Sequence, residues 1–211
     1  IADAVPAMTS VERVFEPDPL RAARYDAMFD DLARFVAGQP LHRFTESQLV
    51  TYRREQVGFI FQSFNLLPSL TALDNVALPL SFRGIPTHTR EARARAILVQ
   101  LGLGSHLHHK PGQLSGGQQQ RVGIARAMAV KPTLVFADEP TGNLDSHTSE
   151  EILTLFRAVI RRFRQTWIMV THDRHIASFA DTVVSIADGR TTDITHNHAP
   201  AAAAADPKVA P

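Results

Sequence analysis

The chain has 211 residues, with 22 Lys and Arg against 21 Asp and Glu, and it has no cysteine. Its length suits one domain of ordinary size, and its 44% hydrophobic and 20% charged residues are typical of a globular protein rather than a disordered one. A net charge of +1 gives no basis for broad electrostatic binding of nucleic acid, and the lack of cysteine excludes disulfides, a thiol nucleophile and cysteine zinc sites.

No segment of the sequence resembles a targeting signal or a membrane span. A spanning helix needs about 20 apolar residues, and a charge, Pro or Gly interrupts every apolar run here before that length. Residues 1–10 lack the basic start and apolar centre of a signal peptide. Because the sequence begins with Ile rather than Met, we expect either processing or a piece of something longer.

Composition divides the chain into three regions. Residues 1–37 contain three prolines and then one amphipathic stretch, Leu20–Val36, which is typical of a docking helix or a leader. Residues 38–194 alternate strand and helix patterns and form the predicted folded domain. Residues 195–211 are rich in Ala and Pro, cannot bury a core, and are expected to be disordered.

Apolar runs and helical periodicity predict the elements of the middle region. The predicted strands are 57–62, 133–138, 167–171 and 183–187, and the predicted helices are 91–101, 116–130 and one long helix between the second and third strands. Thr148 and Glu151 are spaced as a capping box near the start of that long helix. Strands that alternate with helices predict an α/β fold with a largely parallel sheet.

Two acidic residues, Asp138 and Glu139, directly follow the second predicted strand. Ligands of open α/β sheets bind at the carboxyl ends of the strands, so we expect both side chains at such an edge. Asp138 could hold Mg²⁺ through water, and Glu139 could take a proton from an attacking water. Paired acids after a strand suit a helix cap equally well, and the local pattern leaves both interpretations open.

A serine and two glycines precede the predicted helix in the run Leu114-Ser-Gly-Gly-Gln118. They offer backbone N–H groups at the positive end of a helix, where phosphate binds readily. A simple helix cap is the alternative, although capping does not require a glycine pair. His172 follows the third strand, where it is either structural or able to polarise a phosphate or position water. Five other histidines show no repeated ligand spacing and are expected at the surface: His42, His88, His106, His108 and His109.

In their order and spacing, these motifs resemble an ABC transporter ATPase. The matching residues are Gln62, Leu114–Gln118, the strand ending in Asp138 and Glu139, Thr141–Asp145 and Thr171–Asp173. The run 64–80 resembles the branch that serves lipoprotein release and macrolide-type export. The resemblance covers residues 38–194 and implies a P-loop NTPase-like α/β domain with a helical signature subdomain.

The resemblance also implies roles, cofactors and partners. Asp138 and Gln62 would lie at Mg²⁺, and Glu139 would be the general base. His172 would be the switch histidine, and Asp145 would couple the two sites of a dimer. The clamp on the ATP of the opposite subunit would consist of Ser115, Gly116, Gly117 and Gln118. The implied cofactors are ATP and Mg²⁺. The implied partners are a permease transmembrane subunit and a second nucleotide-binding subunit, on the cytoplasmic face of the cell membrane. No nucleic acid partner is expected.

One family motif, the phosphate loop Gly-x-x-x-x-Gly-Lys-Ser/Thr, is missing from the sequence. The three lysines are Lys110, Lys131 and Lys208, and none lies in such a loop. We expect the strand, loop and helix of this Walker A region to be missing or replaced, with the strand absent from beside the Asp138 strand. Without the loop's N–H groups and Lys, we expect no useful ATP affinity at this chain's own half-site.

Three functions follow as alternatives. The chain is an ATP-hydrolysing subunit that energises export or lipoprotein release, a non-catalytic subunit that donates its signature helix in trans, or a non-functional fragment. Whether it is an enzyme is therefore left open. Residues 15–29 resemble the C-terminal end of an FGGY-type sugar kinase, which suggests a foreign segment joined to the ATPase domain. Val11–Phe15 is the strand-like candidate in that first region.

Overall fold

The computed structural model describes residues 44–163, 165–187 and 190–197. The chain divides into two units, residues 1–49 and residues 50–211. The predicted amphipathic stretch, the sugar-kinase-like segment and the Ala/Pro tail beyond residue 197 lie outside the described residues. The expectation of disorder is wrong for Thr195 and His196, which pair with Val183 and Thr182 in a strand. Among the described helices, none combines the length and apolar composition that crossing a membrane requires.

The described residues form helices and strands in an alternating order. The helices are α1 (Glu46–Gln56), α2 (Ala72–Ser81), α3 (Thr87–Gln100), α4 (Gly116–Ala129), α5 (Ser146–Phe163) and α6 (Arg174–Ala177). The strands are β1 (Val57–Phe61), β2 (Leu134–Asp138), β3 (Thr166–Val170), β4 (Thr182–Ala187) and β5 (Arg190–His196). The sequence predicts β1 to β4 and α3 to α5 within a few residues, but it misses α1, α2, α6 and β5.

Strands β1, β2 and β3 form a parallel sheet in that order, and β4 and β5 form a separate antiparallel hairpin. The register places Phe61, Asp138 and Val170 side by side, so the three strands end at the same level. The expectation that the absent strand belongs directly beside the Asp138 strand is wrong, because that strand is paired on both of its edges. Strand β2 is central, with β1 on one edge and β3 on the other.

The core lies between one face of this sheet and helices α2 to α5. Buried apolar side chains line these helices, among them Val76, Leu98 and Ile124. Gly58 of β1 allows α4 to approach closely, because a Cβ atom there would lie 3.1 Å from the carbonyl oxygen of Ala127. On β3, the ring of Trp167 packs 4.8 Å from that of Phe156 on α5.

A buried asparagine on α2, Asn75, organises the segment that follows β1. Its Oδ1 accepts a hydrogen bond from the Leu67 N–H at 2.8 Å. Its amide nitrogen donates to the carbonyls of Leu67, Leu70 and Thr71 at 3.0–3.3 Å. One fully buried side chain therefore satisfies the backbone of a loop that has no ladder partners.

Replacing Asn75 with Ala leaves these buried backbone groups without partners. We expect Asn75→Ala to lower the free energy of unfolding by about 1–3 kcal/mol, measured by urea denaturation. Gln100→Ala, at the exposed end of α3, is the control and should be nearly neutral. Equal stability of Asn75→Ala and the control would contradict this role.

Candidate functional site

Strand β2 delivers Asp138 and Glu139 to the carboxyl edge of the sheet. Asp138 is exposed, and its side chain has no hydrogen bond or ion pair with the described residues. Glu139 has a positive φ of 42°, which non-glycine residues rarely adopt. Its N–H donates to the carbonyl oxygen of Val170 at 2.9 Å. This bond and the sharp turn direct the Glu139 side chain toward the end of β3.

Glu139 and His172 form a hydrogen-bonded pair at that edge. The carboxylate oxygen Oε1 lies 2.6 Å from His172 Nδ1 and accepts the backbone N–H of His172 at 3.0 Å. The Glu139 side chain is 19% exposed, whereas that of His172 is 85% exposed. The hydrogen bond from His172 to Glu139, together with the carboxylate charge, raises the pKa of His172 above 6.5.

Gln62 follows β1 and lies over the turn that comes after Glu139. Its backbone carbonyl accepts a hydrogen bond from Asn143 Nδ2 at 3.0 Å. A Cβ atom on Gly142 would lie only 2.7 Å from Gln62 Nε2, so the glutamine amide covers that glycine. The structure therefore brings Gln62, Glu139 and His172 to the same sheet edge as Asp138, as the sequence predicts.

The second group of predicted site residues, Leu114–Gln118, lies at the start of α4 and is called the signature below. Ser115 Oγ accepts from the N–H of Gln118 at 3.3 Å, and Gln118 Oε1 accepts from the N–H of Ser115 at 2.9 Å. Such a capping box uses the third N–H of the helix and leaves those of Gly116 and Gly117 without an acceptor among the described residues. The helix cap and the open N–H groups coexist, so the two interpretations of this motif are compatible.

The glycine pair also allows two helices to meet. A Cβ atom on Gly117 would lie 2.6 Å from Thr148 Cγ2 on α5. Asp145 fixes that threonine, because its carboxylate accepts both the N–H and the hydroxyl of Thr148, at 3.0 and 2.7 Å. These bonds lower the pKa of Asp145. The predicted capping box of Thr148 with Glu151 is wrong: Asp145 caps the helix, and Glu151 pairs with Arg121 at 2.9 Å.

The chain matches the ABC transporter family over residues 34–142. An uncharacterized ABC transporter ATP-binding protein of Thermotoga maritima is 48% identical over 159 residues, which cover 75% of this chain and 68% of that protein. The macrolide export ATP-binding/permease protein MacB of Syntrophobacter fumaroxidans is 49% identical over 154 residues, covering 72% of this chain and 22% of that protein. The chain belongs to the ABC transporter family.

Two solved structures support the fold. The dimeric structure of MJ0796, a bacterial ABC transporter cassette, is 41% identical with a TM-score of 0.66, covering 74% of this chain and 69% of that chain. A post-hydrolysis dimer of the same cassette, bound to ADP and Pi, has a TM-score of 0.69 at 35% identity, covering 83% of this chain and 81% of that chain. The fold is therefore the α/β cassette of ABC ATPases. The chain spans about two thirds of the Thermotoga relative and under a quarter of the MacB protein.

Two side chains of α4 link its signature end to the other motifs, and the sequence patterns predict neither contact. Gln120 is fully buried and donates from Nε2 to the carbonyl of Pro140 at 2.6 Å. Arg126 donates to the carbonyls of Phe64, at 2.9 Å, and of Asn65. Both carbonyls belong to residues with positive φ, just after Gln62. The available signal was a Gln and an Arg on the otherwise buried face of an amphipathic helix.

One histidine that was expected at the surface contacts the signature. His106 is half-buried, and its Nε2 lies 3.1 Å from the side-chain nitrogen of Gln118. Its ring centre is 5.0 Å from that of His109. The expectation of a plain surface residue is thus wrong for His106. Among the described residues, no group of three or more His, Asp or Glu side chains could by itself hold a metal ion.

The contact between Gly117 and Thr148 gives a direct test of the packing at the signature. We expect Gly117→Ala to lower the free energy of unfolding by about 1–3 kcal/mol, because the added methyl group overlaps Thr148 Cγ2. Thr148→Ser removes that methyl and keeps the hydroxyl, so the double variant should recover most of the loss. Gly112→Ala is the control, since its Cβ would have no neighbour within 4 Å. A double variant no more stable than Gly117→Ala would refute the contact.

The pair of His172 and Glu139 predicts a pH dependence. The pKa of His172 is raised in the folded chain, so the bond of protonated His172 to Glu139 stabilises the fold fully at a pH below the ordinary pKa of 6.5. This stabilisation is lost as the pH rises through the raised pKa. NMR titration should show an elevated pKa for His172, which Glu139→Gln moves back toward 6.5. Glu151→Gln should leave it unchanged. A His172 pKa that ignores Glu139→Gln would show that the pair does not form in solution.

Proposed function

We propose that this chain is the nucleotide-binding subunit of an ABC transporter that energises export or lipoprotein release. The observation that carries the proposal is the hydrogen-bonded pair of Glu139 and His172 beside the free carboxylate of Asp138. This group lies where the three parallel strands end at the same level. The similarity to macrolide export and YbbA proteins supports the branch; the YbbA protein of Escherichia coli K12 is 47% identical over 155 residues.

In this proposal, each site residue has a role that its position allows. Glu139 would be the general base toward water in a completed site, and its bonds to His172 hold the carboxylate in place. Asp138 and Gln62 fit Mg²⁺, which prefers carboxylate and amide oxygens, and Asp138 is free to take it. When bound, Mg²⁺ would neutralise charge on the phosphates of ATP. Asp145 fixes the start of α5 against the signature helix.

The β- and γ-phosphates of ATP do not fit the residues of this half-site. The sequence has no phosphate loop, and neither Asp138 nor Glu139 pairs with a Lys or Arg of the described residues. Two carboxylates would therefore face a triphosphate without an opposing side-chain cation. The residues of this half-site alone therefore support no hydrolysis step.

The signature end supports the second candidate, a subunit that completes a partner's site. Ser115 is exposed, and the N–H groups of Gly116 and Gly117 are open at the positive end of a fourteen-residue helix. Together with Gln118, they suit the γ-phosphate of ATP held by another subunit. This role needs no phosphate loop in the donating chain.

The proposed surroundings follow the relatives. A second nucleotide-binding subunit is supported by the dimeric cassette structures, and a permease by the fused ATP-binding/permease proteins. The chain would then work at the cytoplasmic face of the cell membrane. We propose residues 38–194 as the ABC domain, residues 1–37 as a leader outside it and residues 195–211 as a tail that begins within the last residues of β5.

The trans role can be tested with a relative that has its own phosphate loop. Its signature serine is replaced by Arg, so that its homodimer cannot hydrolyse ATP. We expect addition of this chain to restore ATPase activity, because Ser115 to Gln118 complete the site of the relative. Ser115→Arg in this chain should abolish the rescue, and Thr154→Arg, exposed on α5, should preserve it.

Calorimetry separates the two candidates. The signature-donor candidate predicts no saturable binding of Mg-ATP by this chain alone, because its 211 residues contain no phosphate loop. Micromolar binding that survives Ser115→Ala would instead indicate a complete site of its own. Absence of rescue at every mixing ratio would rule out the signature donor.

A further inference from the structure

The glutamine of the signature, Gln118, holds two polar partners at once. Its Oε1 accepts the backbone N–H of Ser115 at 2.9 Å, and its Nε2 lies 3.1 Å from His106 Nε2. A backbone N–H can only donate, so the Ser115 N–H fixes which end of the Gln118 amide is the oxygen. The amide nitrogen of Gln118 therefore faces the imidazole ring of His106.

This orientation assigns the proton of the His106 ring. An amide nitrogen donates two hydrogens and accepts none, so His106 Nε2 has to be the acceptor. The ring is then neutral with its proton on Nδ1, and Ser105 Oγ lies 3.0 Å from Nδ1 as the acceptor of that proton. A protonated ring, or the opposite tautomer, would point an N–H at the amide hydrogens of Gln118 and break the contact.

The backbone around His106 is fixed by hydrogen bonds to α2. His106 is the last residue of a short 3₁₀ turn, and the next residue, Leu107, is buried. The carbonyls of Leu107 and His109 accept the N–H groups of Leu73 and Ala72 at 2.9 and 2.8 Å. These donors belong to the first turn of α2, where a helix has no acceptors of its own. The segment that carries His106 is therefore anchored independently of α4.

The charged groups around this ring have other partners. The ring of His109 is 5.0 Å from that of His106. On the packed helices, Arg121 of α4 pairs with Glu151 at 2.9 Å, and Asp74 of α2 takes part in the cap of its own helix. In the part of the chain that the structure describes, His106 has no ion pair with a carboxylate. The neutral ring therefore has no competing ion pair.

We propose that neutral His106 is a positioning residue of the signature, which fixes the Gln118 side chain next to the open N–H groups of Gly116 and Gly117. Both ends of the Gln118 amide are then held, one by Ser115 and one by His106. A free glutamine side chain samples several rotamers, so this arrangement removes conformational freedom before phosphate binds. His106 acts through Gln118 and does not itself touch phosphate. This inference rests on the proposed function, because it concerns the signature's role in a partner's site.

Nitrogen-15 NMR of the imidazole rings tests the assignment on the full chain without nucleotide. At about pH 9, where histidine rings are neutral, we expect His106 to carry its proton on Nδ1 and to leave Nε2 unprotonated. Gln118→Glu keeps one oxygen for the N–H of Ser115 and places a second oxygen at His106 Nε2. The proton should therefore move to Nε2 in this variant. His88, exposed on α3, is the internal reference and should not change.

Two results of this measurement would overturn the proposal. One is a proton on His106 Nε2 in the unmodified chain. The other is an unchanged tautomer in Gln118→Glu, because it would show that the two side chains are not in contact.

Variants of His106 test its effect on the trans role, with the relative whose signature serine is Arg. His106→Asn removes the acceptor at the position of Nε2 and should lower the restored kcat by about three- to tenfold. His106→Gln places an amide oxygen near that position and should recover most of the activity. His108→Asn, at an exposed neighbour, is the matched control and should rescue as the unmodified chain does. Equal losses in His106→Asn and His108→Asn, or no recovery with His106→Gln, would refute the positioning role. If His106→Asn does not fold, the tautomer of the unmodified chain decides.

The two readouts separate this inference from the proposed function. If the unmodified chain gives no rescue at any mixing ratio but the tautomer changes in Gln118→Glu, the signature-donor function fails and the assignment of His106 to Gln118 stands. If the chain rescues the relative while His106 carries its proton on Nε2, the donor function stands and the positioning role of His106 fails.

Discussion

The central position of β2 in the parallel sheet is the constraint on which the candidate site depends. Because β2 is paired on both edges, its last residue is held level with the ends of β1 and β3. The next residue, Glu139, turns with a positive φ and is anchored to the Val170 carbonyl. The strain of that turn is tolerated because the sheet fixes both of its sides. Residues far apart in sequence, Gln62 and His172, thereby meet the acidic pair.

Helix α4 connects the two halves of the site. Its first turn holds the signature serine and glycines, its centre places Gln120 on the Pro140 carbonyl, and Arg126 near its end holds the backbone after Gln62. Burial lowers the pKa of Arg126, yet the carbonyls of Phe64 and Asn65 provide acceptors for its guanidinium. A displacement of this helix would therefore change both the signature and the bend after β1.

The same sheet leaves apolar side chains accessible beside the acidic pair in the described part of the chain. Phe59, Phe136 and Ile168 form one cross-strand row on the face opposite Trp167, and Phe59 is 39% exposed. In the next row but one along β2, Asp138 lies beside Val170, which is 58% exposed. The acidic pair therefore borders an apolar surface of the sheet.

The sequence by itself determined the fold class, most strand positions and the motifs that identify the family, because apolar periodicity and short spacings are local properties. It also shows that these 211 residues contain no Gly-x-x-x-x-Gly-Lys-Ser/Thr run. Only the tertiary structure decided that β2 is central, that Asp145 rather than Thr148 caps α5, and that His106 contacts Gln118. Strand order and side-chain partners depend on contacts between distant residues, which periodicity does not encode. Helices α1 and α2 escaped prediction for a related reason: α1 has no buried residue, and α2 contains an internal proline.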